Sequence, residues 1–240
     1  MIKLDILAIA SHPDDVELSC AGTLLVHQAM GKKTGVLDLT RGELGSRGTA
    51  QSRAREAREA GKLMGLSIRE NLGLPDGFFR NDPPSQKKLI RAIRAYRPDI
   101  VLANAPGDRH PDHGRAASLT VESCFLAGLI KIRTLEGGKP QAAWRPAQVY
   151  HFIQDRYLEP DFIVDISPFA GKKLQAIKCF KSQFLAPPGE KIQTYISTPE
   201  FLDSVIYRSK MMGKMIGVAY GEGFISTKKI GVRNFDGLIY

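Results

Sequence analysis

Residues 2–10, IKLDILAIA, form a near-continuous apolar run that stops at Ser11 and gives way to HPDD. A run that is apolar at odd and even positions alike reads as a strand buried on both faces, the habit of parallel strands. The next stretch, VELSCAGTLLVHQAM (16–30), carries apolar residues at helical spacing and closes on Gly31, a good residue just past a helix end. The alternation continues. TGVLDLT (34–40) reads as a strand, RGELGSRGT (41–49) as a loop and residues 50–65 as a helix. A weaker strand follows at 68–74, then a helix within NDPPSQKKLIRAIRAYRPD that must stop before Pro98. DIVLANA (99–105) is the next strand, PGDRHPDHG a loop, RAASLTVESCFLAG a helix and 129–146 a long connection. Strands at 148–153 and 162–167, helices over about 168–184 and 199–217, a loop with Pro187, Pro188 and Gly189, and an irregular tail complete the reading. Strand–helix alternation of this kind predicts an α/β fold. The expected form is a doubly wound, mostly parallel sheet with helices on both faces, in a single domain over 1–240.

At 240 residues with 43% apolar and 25% charged content, the chain has the material for one sizeable core. No apolar stretch is long enough to span a membrane. The N-terminal run is short, interrupted by Asp5 and continuous with HPDD, so it reads as a strand rather than a signal segment, and a cytoplasmic location is expected. Cys20, Cys124 and Cys179 are odd in number, widely spaced and without a CxxC pair, which argues against a thiolate zinc site and a disulfide framework; they read as small buried residues. The net charge of +9 is dispersed, without basic runs or interleaved aromatics. It favours steering of an anionic small molecule over a nucleic-acid or membrane partner.

The strings HPDD (His12–Asp15) and RHPDH (Arg109–His113) hold three of the chain's five histidines. Each follows an expected strand, and ligand sites in open α/β sheets form at strand carboxyl ends. Imidazole nitrogens and carboxylate oxygens are the ligands of a catalytic Zn²⁺, which takes three protein groups and keeps one position open. His12 and Asp15, three apart in a turn stiffened by Pro13, can face one metal. Asp14, between them, cannot easily share their direction and is placed as a general base. HPDD alone fits a helix N-cap equally well; the second string weighs against that reading, because His113 offers a third ligand. His110, with Asp112 close enough to orient an imidazole, suits donation to a developing oxyanion or leaving group. The expected cofactor is Zn²⁺, one per subunit, with other divalent metals compatible. Arg41, Glu43, Arg47 and Arg53 flank the loop after the second strand, and Glu43 and Arg53 are expected to meet the substrate.

Taken in order, HPDDVELSCAGTL, LTRGELGSRG, RAREAREAGKLMGL and PGDRHPDHGRA resemble the LmbE-like (PIG-L) zinc-dependent N-deacetylases, densely over the first half and on through YGEGF (220–224). The opening and the length are most similar to the bacillithiol-pathway deacetylases, which remove acetate from N-acetylglucosaminyl-malate. The resemblance implies a Rossmann-like fold, zinc on His12, Asp15 and His113, Asp14 as base, and His110, oriented by Asp112, stabilising the tetrahedral intermediate or acting as acid. It further implies Arg53 and Arg109 at the sugar or its malate carboxylates, Tyr195 on a mobile loop near the oxyanion, and a homo-oligomer, often a hexamer.

No GxSxG elbow is present, which disfavours a serine hydrolase. GEG at 221–223 reads as a turn fragment, and His27 and His151 as ordinary helix and strand residues. Two other readings remain beside the leading one. The same site could cleave another N-acetyl hexosamine or a thiol conjugate, or the chain could be a metal-stabilised binding domain, which would have no need of Asp14.

Overall fold

The computed structural model describes residues 2–185, 191–232 and 234–236; Pro187, Pro188 and Gly189, read above as a loop, lie outside the described residues. Its centre is a seven-stranded sheet. The strands are β1 (Ile6–Ala10), β2 (Thr34–Thr40), β3 (Ile68–Leu74), β4 (Ile100–Ala103), β7 (Gln148–Phe152), β8 (Phe162–Asp165) and β9 (Gly221–Ser226). A small separate hairpin, β5 (Leu135–Glu136) with β6 (Lys139–Pro140), lies in the long connection. The sheet order is β3-β2-β1-β4-β7-β9-β8. The first five are parallel, and β9 runs antiparallel to both β7 and β8.

The double burial expected of the first strand is realised. Leu7 and Ile9 point into a core with Leu37, Leu39, Ile90, Ile93 and Leu119, under α4 (Pro83–Tyr96) and α5 (Pro111–Ala127). Ile6, Ala8 and Ala10 point the other way, against Val16, Leu24, Leu25 and Ala176. These come from α1 (Asp15–Ser19), α2 (Ala21–Ala29) and α6 (Ala170–Lys178). A third cluster joins Ala57 and Ala60 of α3 (Ala50–Met64) to Phe180, to Phe184 of α7 (Lys181–Phe184), and to Phe201 and Val205 of α8 (Pro199–Met215). The result is a three-layer α/β/α fold, as expected.

Four local expectations are corrected. The helix read over 16–30 is two, broken at Cys20 (φ −134°, ψ 15°). The break has a cause far along the chain. The Glu222 carboxylate accepts from the Gly22 and Thr23 amides at 3.0 and 2.7 Å and from Thr23 Oγ1 at 2.6 Å, starting a fresh helix there. GEG is therefore no turn: it opens β9, a strand between β7 and β8 within the supposedly irregular tail. The helix read over 168–184 is likewise divided, into a 3₁₀ turn at Ser167–Phe169, α6 and α7. Finally, α5 begins at Pro111, so Asp112 and His113 sit in a helical first turn rather than a loop. Among the cysteines, Cys20 and Cys124 are buried and Cys179 only partly so.

Candidate active site

From β1 the chain steps to β2 and β3 on one side, then returns through β4 on the other, so the order reverses between β1 and β4. Ile9 pairs with Ala103 across that junction. The carboxyl ends of the two strands therefore lie side by side and deliver HPDD and RHPDH to one cleft of about 400 Å³. His12, Asp14, Asp15, His110, His113, Arg53, Arg109 and Tyr195 all line it.

The HPDD turn is tightly held. Asp15 accepts the His12 amide at 3.0 Å, and Leu18 N–H donates to the Asp14 carbonyl at 3.0 Å. Asp14 itself lies at φ 115°, a left-handed setting that a non-glycine residue adopts only when its surroundings impose it. Arg53 supplies much of that imposition, donating from Nη2 to the Pro13 carbonyl at 2.6 Å and to Asp14 Oδ2 at 2.9 Å. Gly42 makes room for this arginine: at φ 63°, any Cβ there would stand 2.0 Å from Arg53 Nη1.

His12, Asp15 and His113 converge. Asp15 Oδ2 lies 3.5 Å from His12 Nδ1, and Asp15 Oδ1 lies 3.3 Å from His113 Nε2. The far nitrogen of each imidazole is tied to further carboxylates. His12 Nε2 meets Asp76 at 3.1 Å and Asp112 at 3.3 Å, and His113 Nδ1 meets Asp108 at 2.6 Å. Asp15 is steadied in turn by Gln154 Nε2 at 2.7 Å and Asn104 Nδ2 at 3.3 Å. The ligand nitrogens of His12, His110 and His113 also lie within 4.8 Å of one another.

This donor set fits a divalent cation. Each imidazole has one nitrogen fixed by a carboxylate and the other turned to Asp15, the usual support of metal-binding histidines. Without a cation, protons balance the acids. Burial pulls His113 down, but Asp15 and Asp108 overcome it and lift its pKa to about 9. His12 behaves alike: burial opposes its charge, and Asp112, Asp15 and Asp76 raise it well above the ordinary imidazole value. Burial would raise Asp15, yet His113 and His12 hold it well below the usual carboxylate range. A bound cation would take over the role of those protons.

Two neighbours differ electrically. Burial pushes the Asp14 carboxyl up to about 7 even against the Arg53 guanidinium. His110 is pushed down by burial and then by the positive His12 and His113. Its Nδ1 accepts the Asp112 backbone N–H at 3.2 Å, which leaves the proton on Nε2.

Some expected roles are redistributed. Asp112, expected to orient His110 through its side chain, turns its carboxylate instead to His12, to the Gly77 amide at 2.9 Å and to Arg115 at 2.6 Å. Glu43, expected at the substrate, is absent from the cleft lining. It accepts the Asp76 amide at 3.0 Å and the Arg41 amide at 3.2 Å, bracing the turn that presents Asp76. Arg53 faces the cleft while bonded to Asp14, Pro13 and Gly42. Arg109 donates to Asp155 at 3.1 Å and lies 4.4 Å from the Tyr195 ring centre, and Tyr195 Oη donates to the same carboxylate at 3.1 Å.

Sequence reasoning misses Asp76, Asn104, Asp108 and Gln154. Asp76 follows β3, Asn104 and Asp108 follow β4, and Gln154 follows β7. Reading every strand's carboxyl end, rather than two of them, would find Asp76 and Gln154; Asn104 and Asp108 follow β4, the strand that leads to RHPDH, but lie outside that string.

The sequence profile of the family described as PIG-L, GlcNAc-PI de-N-acetylase, matches residues 7–124, a span holding both strings. Among solved structures, the conserved protein TT1542 from Thermus thermophilus is 38% identical with a TM-score of 0.84, over 96% of this chain and 98% of that one. The diacetylchitobiose deacetylase of Thermococcus kodakarensis is 28% identical over 91% of this chain and 81% of its own. A probable N-acetyl-alpha-D-glucosaminyl L-malate deacetylase 2 of Bacillus anthracis is 23% identical over 79% of this chain and 86% of its own.

Proposed function

The chain belongs to the PIG-L family of GlcNAc-PI de-N-acetylases, and on that footing we propose that it is a metal-dependent hydrolase removing the N-acetyl group from an N-acetylglucosamine conjugate. The observation that carries this reading is the convergence of His12, Asp15 and His113 beside a buried carboxylate, Asp14, that is turned to Arg53 instead. Two imidazoles and one carboxylate suit Zn²⁺. The chemistry such an ion contributes is Lewis acidity toward the amide carbonyl and the attacking water.

The remaining work falls to side chains. Asp14, a buried carboxylate beside those three ligands, accepts a proton from the attacking water. Arg53 fixes Asp14 Oδ2 and leaves Oδ1 for that proton. His110, neutral with its proton on Nε2, donates a hydrogen bond to the oxyanion that develops on the former carbonyl oxygen. When the C–N bond breaks, Asp14 returns its proton to the leaving nitrogen, giving acetate and a free amine.

The substrate in this reading is N-acetylglucosaminyl-malate. The likeness to the Bacillus anthracis relative supports an anionic aglycone. The likeness to the diacetylchitobiose deacetylase supports the neutral alternative. Homo-oligomer assembly is part of the proposal, supported by Phe78, which is 74% exposed beside the cleft-lining Gly77. Acetate release from N-acetylglucosaminyl-malate, diacetylchitobiose and free N-acetylglucosamine, measured side by side, tests the choice. The malate conjugate is expected to have the highest kcat/KM; faster turnover of diacetylchitobiose would reassign the substrate.

A further inference from the structure

The charged groups of the cleft are nearly all matched. Arg53 is paired with Asp14 and Arg109 with Asp155, whose other oxygen is taken by Tyr195. Arg47 donates to the Ser182, Leu185 and Ile192 carbonyls. Arg208, on α8, differs. Its guanidinium carries five N–H donors, and the structure engages one group, Nη2, with the Leu18 carbonyl at 2.9 Å. Among the described residues no carboxylate lies within ion-pair distance of it; of the acids whose charge it feels, Asp155 is already held by Arg109 and Tyr195, Asp108 by His113 and Glu222 by Lys173. Burial pushes its pKa below the usual guanidinium value, with Asp155 and Asp108 only partly opposing. A half-buried cation without a counter-charge is costly unless a ligand provides one.

We infer that Arg208 is a specificity-determining residue: its guanidinium receives a carboxylate on the aglycone of the substrate. This rests on the reading of the protein as an amino-sugar deacetylase. Position supports it. Gln154 touches Asp15, and its neighbour Asp155 anchors Arg109 and Tyr195. Arg208 and Leu18 line the same cleft, so the unpaired cation and the reacting centre share one cavity.

The test is Arg208→Gln with Arg208→Lys beside it. Loss of a charge-assisted contact predicts a KM for N-acetylglucosaminyl-malate raised by roughly tenfold or more, with kcat much less affected. The preference for that substrate over diacetylchitobiose, as a ratio of kcat/KM values, should fall by about the same factor, and the lysine variant should recover part of it. A purely structural role would lower both substrates together and leave the ratio unmoved, overturning the inference. Calorimetry with L-malate separates this inference from the functional reading. Binding by the wild type that is lost in Arg208→Gln upholds the subsite even if no N-acetyl substrate is turned over. Equal binding by both proteins, or none by the wild type, overturns it.

Discussion

At the residue scale the site is a balance of buried charge. Asp15 stands between two imidazoles, and each imidazole leans on a further acid, so removing a supporting acid should loosen the metal without abolishing the site. Asp108→Ala frees His113 Nδ1, and metal affinity is expected to fall roughly 10–100-fold, read by competition with a chromophoric chelator. Unchanged affinity would mean that Asp108 does not support the ligand. Asp14 makes the opposite prediction. Asp14→Asn should keep one metal per chain while kcat falls by about 10²–10⁴-fold; near-wild-type turnover would remove Asp14 from the base role. These two roles differ in how readable they are. The two strings hold the converging donors within a few residues, so they stand out in the sequence. Asp108 lies one position outside RHPDH, and only the helical first turn of α5 brings His113 back onto it. The side-chain direction of Asp112 depends on Gly77 and Arg115, which no local pattern supplies.

At the element scale, the parallel half of the sheet is legible because its strands are apolar on both faces and its helices amphipathic. The break in the helix has its cause in the missed strand, through a contact spanning some two hundred residues. Glu222 from β9 captures the Gly22 and Thr23 amides, and Lys173 of α6 neutralises it at 2.7 Å. Helical periodicity over 16–30 cannot register that a carboxylate from the far end of the chain restarts the helix. Glu222→Gln would leave the Lys173 ammonium buried without its counter-charge. A loss of about 3–5 kcal/mol in unfolding free energy is expected from urea denaturation; a loss below about 1 kcal/mol would show that the pair is dispensable. Gly22 belongs to the same joint, since a Cβ there would meet three atoms of Ile166 at 2.8 Å. Gly22→Ala should cost about 1–3 kcal/mol in the same assay, and a neutral effect would show that the joint can relax.

At the scale of the whole molecule, the order reversal between β1 and β4 joins strings a hundred residues apart into one site. The alternation of strand and helix predicts such a junction. It leaves open the antiparallel β9 between β7 and β8, because a short strand holding two glycines carries little periodic signal. The fold thus places a metal-fitting donor set, a raised-pKa carboxylate and an arginine-lined wall in one cleft, and the account depends on a divalent ion for amide hydrolysis there. The most direct test is acetate release from N-acetylglucosaminyl-malate by protein stripped with a chelator and then titrated with Zn²⁺. The account predicts activity near zero in the stripped protein and full recovery at one equivalent per chain. Undiminished acetate release from metal-free protein would contradict it.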